Sequence, residues 1–286
     1  MKPRAFDIIA ACLRNGSGLS IGPEKLYLLE ARLGRIIKRQ GLRDLDALAE
    51  LLTGDRGGAL TREVIEAMTT NESFFFRDDK PFQHFRAQIL PRLLASRPAE
   101  APIRIWSAAS SAGQEAYSLA MILAECRPQT RGRRFEIIGT DISRTQILRA
   151  QEGVYTQFEV QRGLPMQMLV QYFRKDGDNW RVTDALRAAV RFKEWNLLSD
   201  LQGLGRFDVV FCRNVLIYFD KMTKAHVLAS ISRQMAADGL LYLGGAETVL
   251  GITDRFVAVP GERAIYELGG TARAVAGATR MAVAAG

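Results

Sequence analysis

The sequence contains few cysteines. Only three occur, Cys12, Cys126 and Cys212, and long segments separate them. That spacing fits neither a disulfide framework nor a set of metal ligands, so we expect no metal site and a reducing compartment.

Long apolar runs are also missing. No segment reaches the length needed to span a bilayer, and Asp7 and Arg14 break the short apolar run near the N-terminus. A signal peptide would carry an uninterrupted run there. We therefore expect a cytoplasmic protein with no direct insertion into a membrane.

Positive charge is present in excess. The 286 residues are 48% apolar and 24% charged, an ordinary balance for a globular protein, but the net charge is +8. An excess of this sign favours an acidic partner. The charge alone leaves nucleic acid, an anionic membrane and an acidic protein open.

The first 68 residues carry helical signals only. They predict an all-α N-terminal domain at 1–68, followed by an interdomain segment and helix at 69–100. Apolar residues recur at helical spacing at Leu26, Leu29, Leu33 and Ile37. The opposite face of the same helix is basic, with Arg32, Arg35, Lys38 and Arg39.

After residue 100, strand-like and helix-like segments alternate. The strand-like segments are Ile103–Ala108, Phe135–Asp141, Phe207–Asn214 and Leu240–Glu247. This alternation predicts an α/β fold with a doubly wound, mainly parallel sheet over 101–268. Short strand-like pieces around an Asp-Gly pair predict a small antiparallel insert at about 172–195. The Ala- and Gly-rich tail, 269–286, is expected to be disordered.

The turn after the first strand, SAASSAGQE, contains a single glycine, Gly113. Neither G-x-G-x-x-G nor G-x-x-x-x-G-K-[ST] is present, which argues against a pyrophosphate cradle. Asp141 ends the second strand, where a carboxylate accepts hydrogen bonds from ribose hydroxyls or caps the next helix. Glu115 either complements a helix dipole or contacts a ligand. By elimination, S-adenosylmethionine, a nucleoside without phosphate, fits best.

The segment TTNESFFFRDDKPF places three consecutive phenylalanines between polar clusters. A half-buried strand would alternate, and a surface helix would keep its aromatic residues on one face. The pattern therefore predicts a backbone enclosed on several sides, with polar groups gathered at the same place.

Six segments together resemble the chemoreceptor glutamate O-methyltransferases, the CheR family. They are TTNESFFFRD, IRIWSAASSAGQEAYSLAMIL, IIGTDIS, FKEWNLL, FDVVFCRNVLIYFD and LLYLGGAE. The resemblance implies an all-α domain joined to a Rossmann-like, S-adenosylmethionine-binding α/β domain with a small β insert. It also implies methyl esterification of receptor glutamates, with S-adenosylhomocysteine as the second product.

The resemblance further implies a cofactor pocket of nine residues. Their expected places are one wall (Asn71, Ser73, Arg77), the methionine amino group (Glu115), the ribose (Asp141), the adenine (Asn196, Leu197) and the closing end (Arg213, Asn214).

Methyl transfer to a glutamate needs no general base, because the unperturbed carboxyl pKa is about 4.3. Catalysis would then consist mainly of in-line positioning. Two residues are expected to orient the incoming carboxylate. Tyr218 lies within one of the motifs that carry the resemblance, and Arg92 is placed only by its approximate spacing from Arg77. His84 and His226 lie outside the motifs and are expected to be structural or exposed.

The partners that the resemblance implies are the acidic methylation helices of a chemoreceptor, which suit the basic face at Arg32, Arg35, Lys38 and Arg39. A solvated helix face is the other interpretation of those charges. No nucleic acid is expected, since N-P-P-Y-type motifs and a Pro-Cys pair are absent. The short turn RKDGDNW argues against binding of a receptor's C-terminal peptide tether.

Several positions depart from the family's usual residues. Ala108 stands where Gly is usual, and a methyl group at such a position can crowd the ligand or demand a different backbone angle, which leaves its effect on cofactor affinity open. The other departures are Ser73, Ala109, Ala112, Gln114, Ala116 and Gly245. They leave a second function class open, namely a catalytically weak, cofactor-binding regulatory or scaffold protein derived from this family.

Overall fold

A computed structural model describes residues 2–130 and 132–269. Its N-terminal part is helical, because apolar residues at helical spacing are buried together. The four helices are α1 (Pro3–Ser17), α2 (Leu26–Arg39), α3 (Leu45–Gly54) and α4 (Ala59–Met68). Leu29 and Leu33 lie in their common core. The predicted all-α architecture of this part is confirmed.

A long helical segment connects the two parts of the chain. It consists of α5 (Lys80–His84), a π-helical turn (Phe85–Ile89) and α6 (Leu90–Ser96). Phe82 and Phe85 are buried against Phe211, with ring centroids 5.8 and 6.2 Å from that of Phe211. This aromatic packing fixes the helical segment against the sheet.

The second part contains two sheets. The strands are β1 (Ile103–Ala108), β2 (Phe135–Asp141), β3 (Val154–Thr156), β4 (Phe173–Asp176), β5 (Asn179–Val182), β6 (Val190–Glu194), β7 (Phe207–Cys212), β8 (Met235–Leu243), β9 (Phe256–Ala258) and β10 (Ile265–Leu268). The large sheet has the order β6-β2-β1-β7-β8-β10-β9. Its first five strands are parallel neighbours, and β10 and β9 are antiparallel.

Helices cover both faces of the large sheet. They are α7 (Gln114–Glu125), α8 (Arg127–Thr130), α9 (Arg144–Glu152), α10 (Gln157–Gln161), α11 (Met166–Tyr172), α12 (Asp184–Arg187) and α13 (Lys221–Arg233). Neighbouring strand residues alternate between two cores: Ile105 packs in one core and Trp106 in the other. Side chains of a strand point to opposite faces in turn, so this is the predicted doubly wound α/β arrangement.

The small sheet has the order β3-β5-β4 and is antiparallel. It differs from the predicted insert at about 172–195 at both ends. It takes in Val154–Thr156, and Val190–Glu194 instead pairs in parallel with β2 of the large sheet. The Asp-Gly signal marks only the turn between β4 and β5, because the partners of the flanking strands are distant in sequence.

The described residues include no helix with the length and apolar character required to cross a membrane. The predicted disordered tail, 269–286, lies outside the described residues except for Gly269.

Candidate functional site

A cleft lies at the carboxyl ends of β1, β2 and β7, where open α/β sheets bind their ligands. It encloses about 960 Å³ of empty space, including its open mouth. All nine residues of the predicted cofactor pocket line it, and so does Tyr218. The nine are Asn71, Ser73, Arg77, Glu115, Asp141, Asn196, Leu197, Arg213 and Asn214. Five separate segments of the chain therefore meet here.

The three consecutive phenylalanines hold one wall of this cleft. Phe75 is fully buried, with its ring centroid 5.0 Å from that of Tyr155. Phe76 packs on Phe82 with centroids 5.4 Å apart, whereas Phe74 lies beneath the guanidinium of Arg77 at 5.4 Å. The rings point in different directions, so the backbone is enclosed on several sides. Buried aromatic side chains contribute roughly 1.5–3 kcal/mol each, which anchors the polar neighbours.

The turn after β1 has an unusual backbone. Ala109, Ser111 and Gly113 have φ values of 55°, 50° and 92°. A Cβ on Gly113 would lie 2.8 Å from Phe192, so glycine is required there. Ala108 has no positive φ, ends β1 and does not line the cleft, so its methyl group neither needs an unusual backbone angle nor faces the open space. The strain falls on Ala109, which does line it.

Asp141 organises two loops and also faces the cleft. One carboxylate oxygen accepts a hydrogen bond from Ser111 N at 2.8 Å, and the other from Ser143 N at 2.9 Å. Burial raises the pKa of Asp141, and these backbone N–H groups oppose that rise. Each oxygen keeps a second lone pair. Asp141 can therefore cap the following helix and accept hydrogen bonds from ribose hydroxyls at the same time.

Arg213 is the buried cation of the cleft. Its side chain is only 2% exposed and contacts Glu115 at 3.0 Å and Asp78 at 2.7 Å. It also donates to Arg77 O at 2.8 Å. Its Nε is buried and has no hydrogen-bond partner within the part of the chain that the structure describes. A buried donor without a partner is costly, so this nitrogen is a local weak point in the packing of the Arg213 side chain.

The N-terminal helices contribute a wall that the sequence did not indicate. Ser17 and Leu19 line the cleft, and Ser20 N donates to Tyr218 O at 2.9 Å. Glu66 accepts hydrogen bonds from Ser143 Oγ at 2.7 Å and Thr145 N at 2.8 Å. The sequence NGSG at the C-terminal end of α1 is the only local sign of this contact.

Further lining residues were also missed. They are Thr69, Thr70, Glu72, Ala109, Ser111, Ile142, Trp195, Val215 and Phe219. Seven of the nine lie within two residues of a predicted contact, so proximity along the chain was the available signal; Ala109 and Ser111 belong to the turn after β1. Trp195 is notable because its indole Nε1 is buried and has no partner within residues 2–130 and 132–269.

The expected role of Arg92 at the reacting groups is wrong. Its guanidinium donates to Asp238 O at 2.7 Å and pairs with Glu267 at 3.1 Å. Asp238 precedes the carboxyl end of β8 by five residues, about 16 Å along a strand. The prediction from sequence spacing failed because the helical segment between Arg77 and Arg92 places Arg92 far from the cleft. Arg77 itself lines the cleft, held by a hydrogen bond to Glu72 O at 2.9 Å.

The four cations of α2 do not act alike. Arg32 donates to Met68 O at 2.7 Å and to Thr69 O at 3.0 Å, so it ties α2 to the segment that enters the cleft. Arg39 forms an ion pair with Glu63. Arg35 and Lys38 are exposed. Of the predicted docking residues, these two remain most accessible to a partner.

The two histidines and Cys212 do not line the cleft. His84 shares a 2.7 Å hydrogen bond with the Tyr242 hydroxyl in the core, and His226 is exposed on α13. No histidine lines the cleft. Burial, followed by the carboxylates of Glu247 and Glu115, raises the pKa of Cys212, so its thiol is unsuited to nucleophilic attack. The described part of the chain contains no cluster of side chains able to hold a metal ion.

Comparison with known proteins assigns both parts of the chain. Residues 4–69 match the model of the CheR methyltransferase all-alpha domain, and residues 71–265 match that of the CheR methyltransferase SAM binding domain. Chemotaxis protein methyltransferase Cher2 of Pseudomonas putida is 35% identical over 88% of this chain and 92% of its own. Chemotaxis protein methyltransferase 1 of Pseudomonas aeruginosa is 37% identical over the same shares.

Proposed function

The chain belongs to the CheR methyltransferase family, and on that premise we propose that it methylates glutamate side chains on the cytoplasmic part of a chemoreceptor. The cofactor is S-adenosylmethionine, and the coarse activity is methyl transfer in chemotaxis. The glutamate acceptor is the proposal. The observation that supports it is that Tyr218 lines the same cleft as all nine residues of the predicted cofactor pocket, Arg77 among them.

The residues of the cleft fit this cofactor. Arg213 lines the cleft and brings a positive charge to the side where the methionine carboxylate would lie. Glu115 supplies a carboxylate beside it for the amino group, and the Asp141 carboxylate has lone pairs left for ribose hydroxyls. No glycine-rich phosphate cradle is needed for such a ligand. When bound, the cofactor supplies a methyl group activated by positively charged sulfur.

The protein's part in the reaction is to orient an acceptor that is already charged. A free glutamate side chain is ionised at neutral pH, with a pKa of about 4.3. The reaction therefore needs no histidine in the cleft to act as a general base. The guanidinium of Arg77, expected above in one wall of the cofactor pocket, would also attract the carboxylate, and the Tyr218 hydroxyl would donate a hydrogen bond to one of its oxygens. Together they aim the other oxygen into the cleft. Positioning of this kind accounts for much of the barrier reduction in transfer reactions.

The receptor would meet the exposed face of α2. We define the docking face as Tyr27, Ala31, Gly34, Arg35 and Lys38, which follow one another at helical spacing. Tyr27 is 63% exposed, and the space above Gly34 is open. Small residues let another helix approach closely, and the two cations suit its acidic side chains. The expectation that a receptor tether is not bound stays a prediction.

Transfer of a labelled methyl group tests this function. The protein is incubated with methyl-labelled cofactor and membranes that contain a chemoreceptor. Label on the receptor that alkali releases as methanol is expected, because glutamate methyl esters are base-labile. Alkali-stable label, or label on nucleic acid, would exclude the glutamate acceptor. Cofactor binding without any transfer would favour the regulatory alternative.

A further inference from the structure

A buried carboxylate lies just beyond the cleft, in the turn after β8. Glu247 is 7% exposed and does not line the cleft. Its two oxygens accept hydrogen bonds from four backbone N–H groups: Gly244 at 2.6 Å, Asn214 at 2.8 Å, Val215 at 2.9 Å and Ile217 at 3.3 Å. Three of these donors belong to one short segment, residues 213–218, which follows β7.

Residues 213–218 carry functional groups but do not pair, within the described part of the chain, with a neighbouring strand through regular backbone hydrogen bonds. They include Arg213 and Asn214, which line the cleft, and Tyr218. Asn214 has a φ of 58°, a conformation that costs a non-glycine residue about 1 kcal/mol or more. Its backbone donors need partners because buried N–H groups are rarely left without them. The Glu247 carboxylate supplies those partners.

The turn after β8 is shaped to bring this carboxylate close. A Cβ on Gly244 would lie 2.7 Å from Asn214 Nδ2 and 2.7 Å from Glu247 Oε2. Only glycine therefore leaves room for the two segments to touch. The position belongs to the motif LLYLGGAE, to which the cofactor contacts assign no role.

We propose that Glu247 is a positioning residue for methyl transfer. Its hydrogen bonds fix the backbone of residues 213–218 and thereby hold the Tyr218 hydroxyl in the correct position relative to the cofactor. The inference rests on the proposed function. From the other side, Ser20 N holds Tyr218 O at 2.9 Å. Glu247 acts through Tyr218 and touches neither substrate nor cofactor.

The carboxylate is separable from the core packing of the same loops. Leu216 and Val249 are each 1% exposed and anchor the two loops in the core of one sheet face. Glu247→Gln keeps the size of the side chain, so these contacts persist. It replaces one acceptor oxygen by an NH₂ group that faces backbone donors, which weakens the hold on residues 213–218 without emptying the core.

Kinetics of Glu247→Gln test the proposal, with Glu159→Gln as the matched control. Glu159 also accepts a backbone N–H, from Thr156 at 2.9 Å, but lies in the cap of α10 away from the cleft. In Glu247→Gln we expect kcat to fall about 10- to 100-fold, as small misplacements do, and the Kd for S-adenosylhomocysteine to rise by a clearly smaller factor, because Arg213 and Asn214 of the same segment line the cofactor pocket. Glu159→Gln should leave both constants unchanged. A Glu247→Gln kcat within two-fold of wild type overturns the proposal.

A double mutant separates positioning through Tyr218 from general damage. If Glu247 acts through Tyr218, the combined Glu247→Gln and Tyr218→Phe variant loses little more kcat than the worse single variant. Additive losses overturn the positioning role. Hydrogen exchange of the Val215 and Ile217 amides should accelerate in Glu247→Gln, and unchanged exchange also counts against it. An inactive wild-type protein would instead refute the proposed function.

Discussion

Replacement of Arg213 by methionine should destabilise the protein strongly. The guanidinium is 2% exposed, and Glu115 is 12% exposed, so their ion pair lies inside the protein. Removing one member of a buried pair costs about 3–5 kcal/mol, because the other charge stays buried without an opposite charge; Glu115 would keep only its hydrogen bond from Ser107 Oγ, at 2.8 Å. Asp78 is 51% exposed and regains water, so it adds at most about 1 kcal/mol. We therefore expect the free energy of unfolding to fall by about 3–5 kcal/mol.

Urea unfolding measures this change, with Arg181→Met as the control. Arg181 pairs with Asp176 at 2.6 Å, but both side chains are more than 40% exposed, so its loss should cost less than about 1 kcal/mol. In a Glu115→Gln background the cost of Arg213→Met should shrink, because no unpaired charge remains. A loss below about 1 kcal/mol in the wild-type background would refute the assignment of a buried, energetically coupled pair.

Three further predictions concern catalysis, docking and pH. Tyr218→Phe should lower kcat about 10- to 150-fold, since a hydrogen bond to a charged group contributes about 1.5–3 kcal/mol, and full turnover would remove Tyr218 from the site. Reversal of Arg35 and Lys38 to Glu should raise the KM for receptor but not the Kd for S-adenosylhomocysteine; equal loss of both would count against docking. Burial alone would raise the pKa of Glu66, but hydrogen bonds from Thr145 and Ser143 lower it. The stability that the Glu66 carboxylate contributes is thus present above an unfolded-state pKa of about 4.3 and is lost as pH falls through the folded-state pKa. The urea midpoints of wild type and Glu66→Gln should therefore converge at acid pH. A difference between the two midpoints that stays constant with pH would contradict this.

The docking prediction has a matched control. Arg127 and Arg134 are exposed cations that precede β2, at the edge of the sheet opposite the cleft. Their reversal to Glu changes the net charge by the same amount as reversal of Arg35 and Lys38. If the control pair raises the KM for receptor equally, the effect comes from overall charge and the docking face plays no special part.

The architecture was readable from the sequence because its signals are local. Apolar spacing in α2 and alternation in the strands each report which side of one element is buried. Phe75 and its neighbours likewise signalled an enclosed backbone through their own pattern. The cofactor residues came from motif segments at strand ends, and parallel strands bring those ends to one edge of the sheet.

What the sequence could not provide depends on contacts between distant segments. The pairing of β6 with β2 and of β3 with β5 is not encoded near the Asp-Gly turn. Spacing along the chain put Arg92 beside Arg77, although a helical segment separates them in space. The strain at Ala109 and the four bonds to Glu247 follow from how loops cross, which no single stretch of sequence specifies.

Calorimetric titration with S-adenosylhomocysteine tests most directly whether the cleft between the helices and the sheet is the cofactor site. The wild-type protein should bind one equivalent. Asp141→Asn, which removes one acceptor from the ribose end, should bind at least about ten-fold more weakly. Failure of the wild type to bind, or equal affinity in Asp141→Asn, would contradict the location of the site.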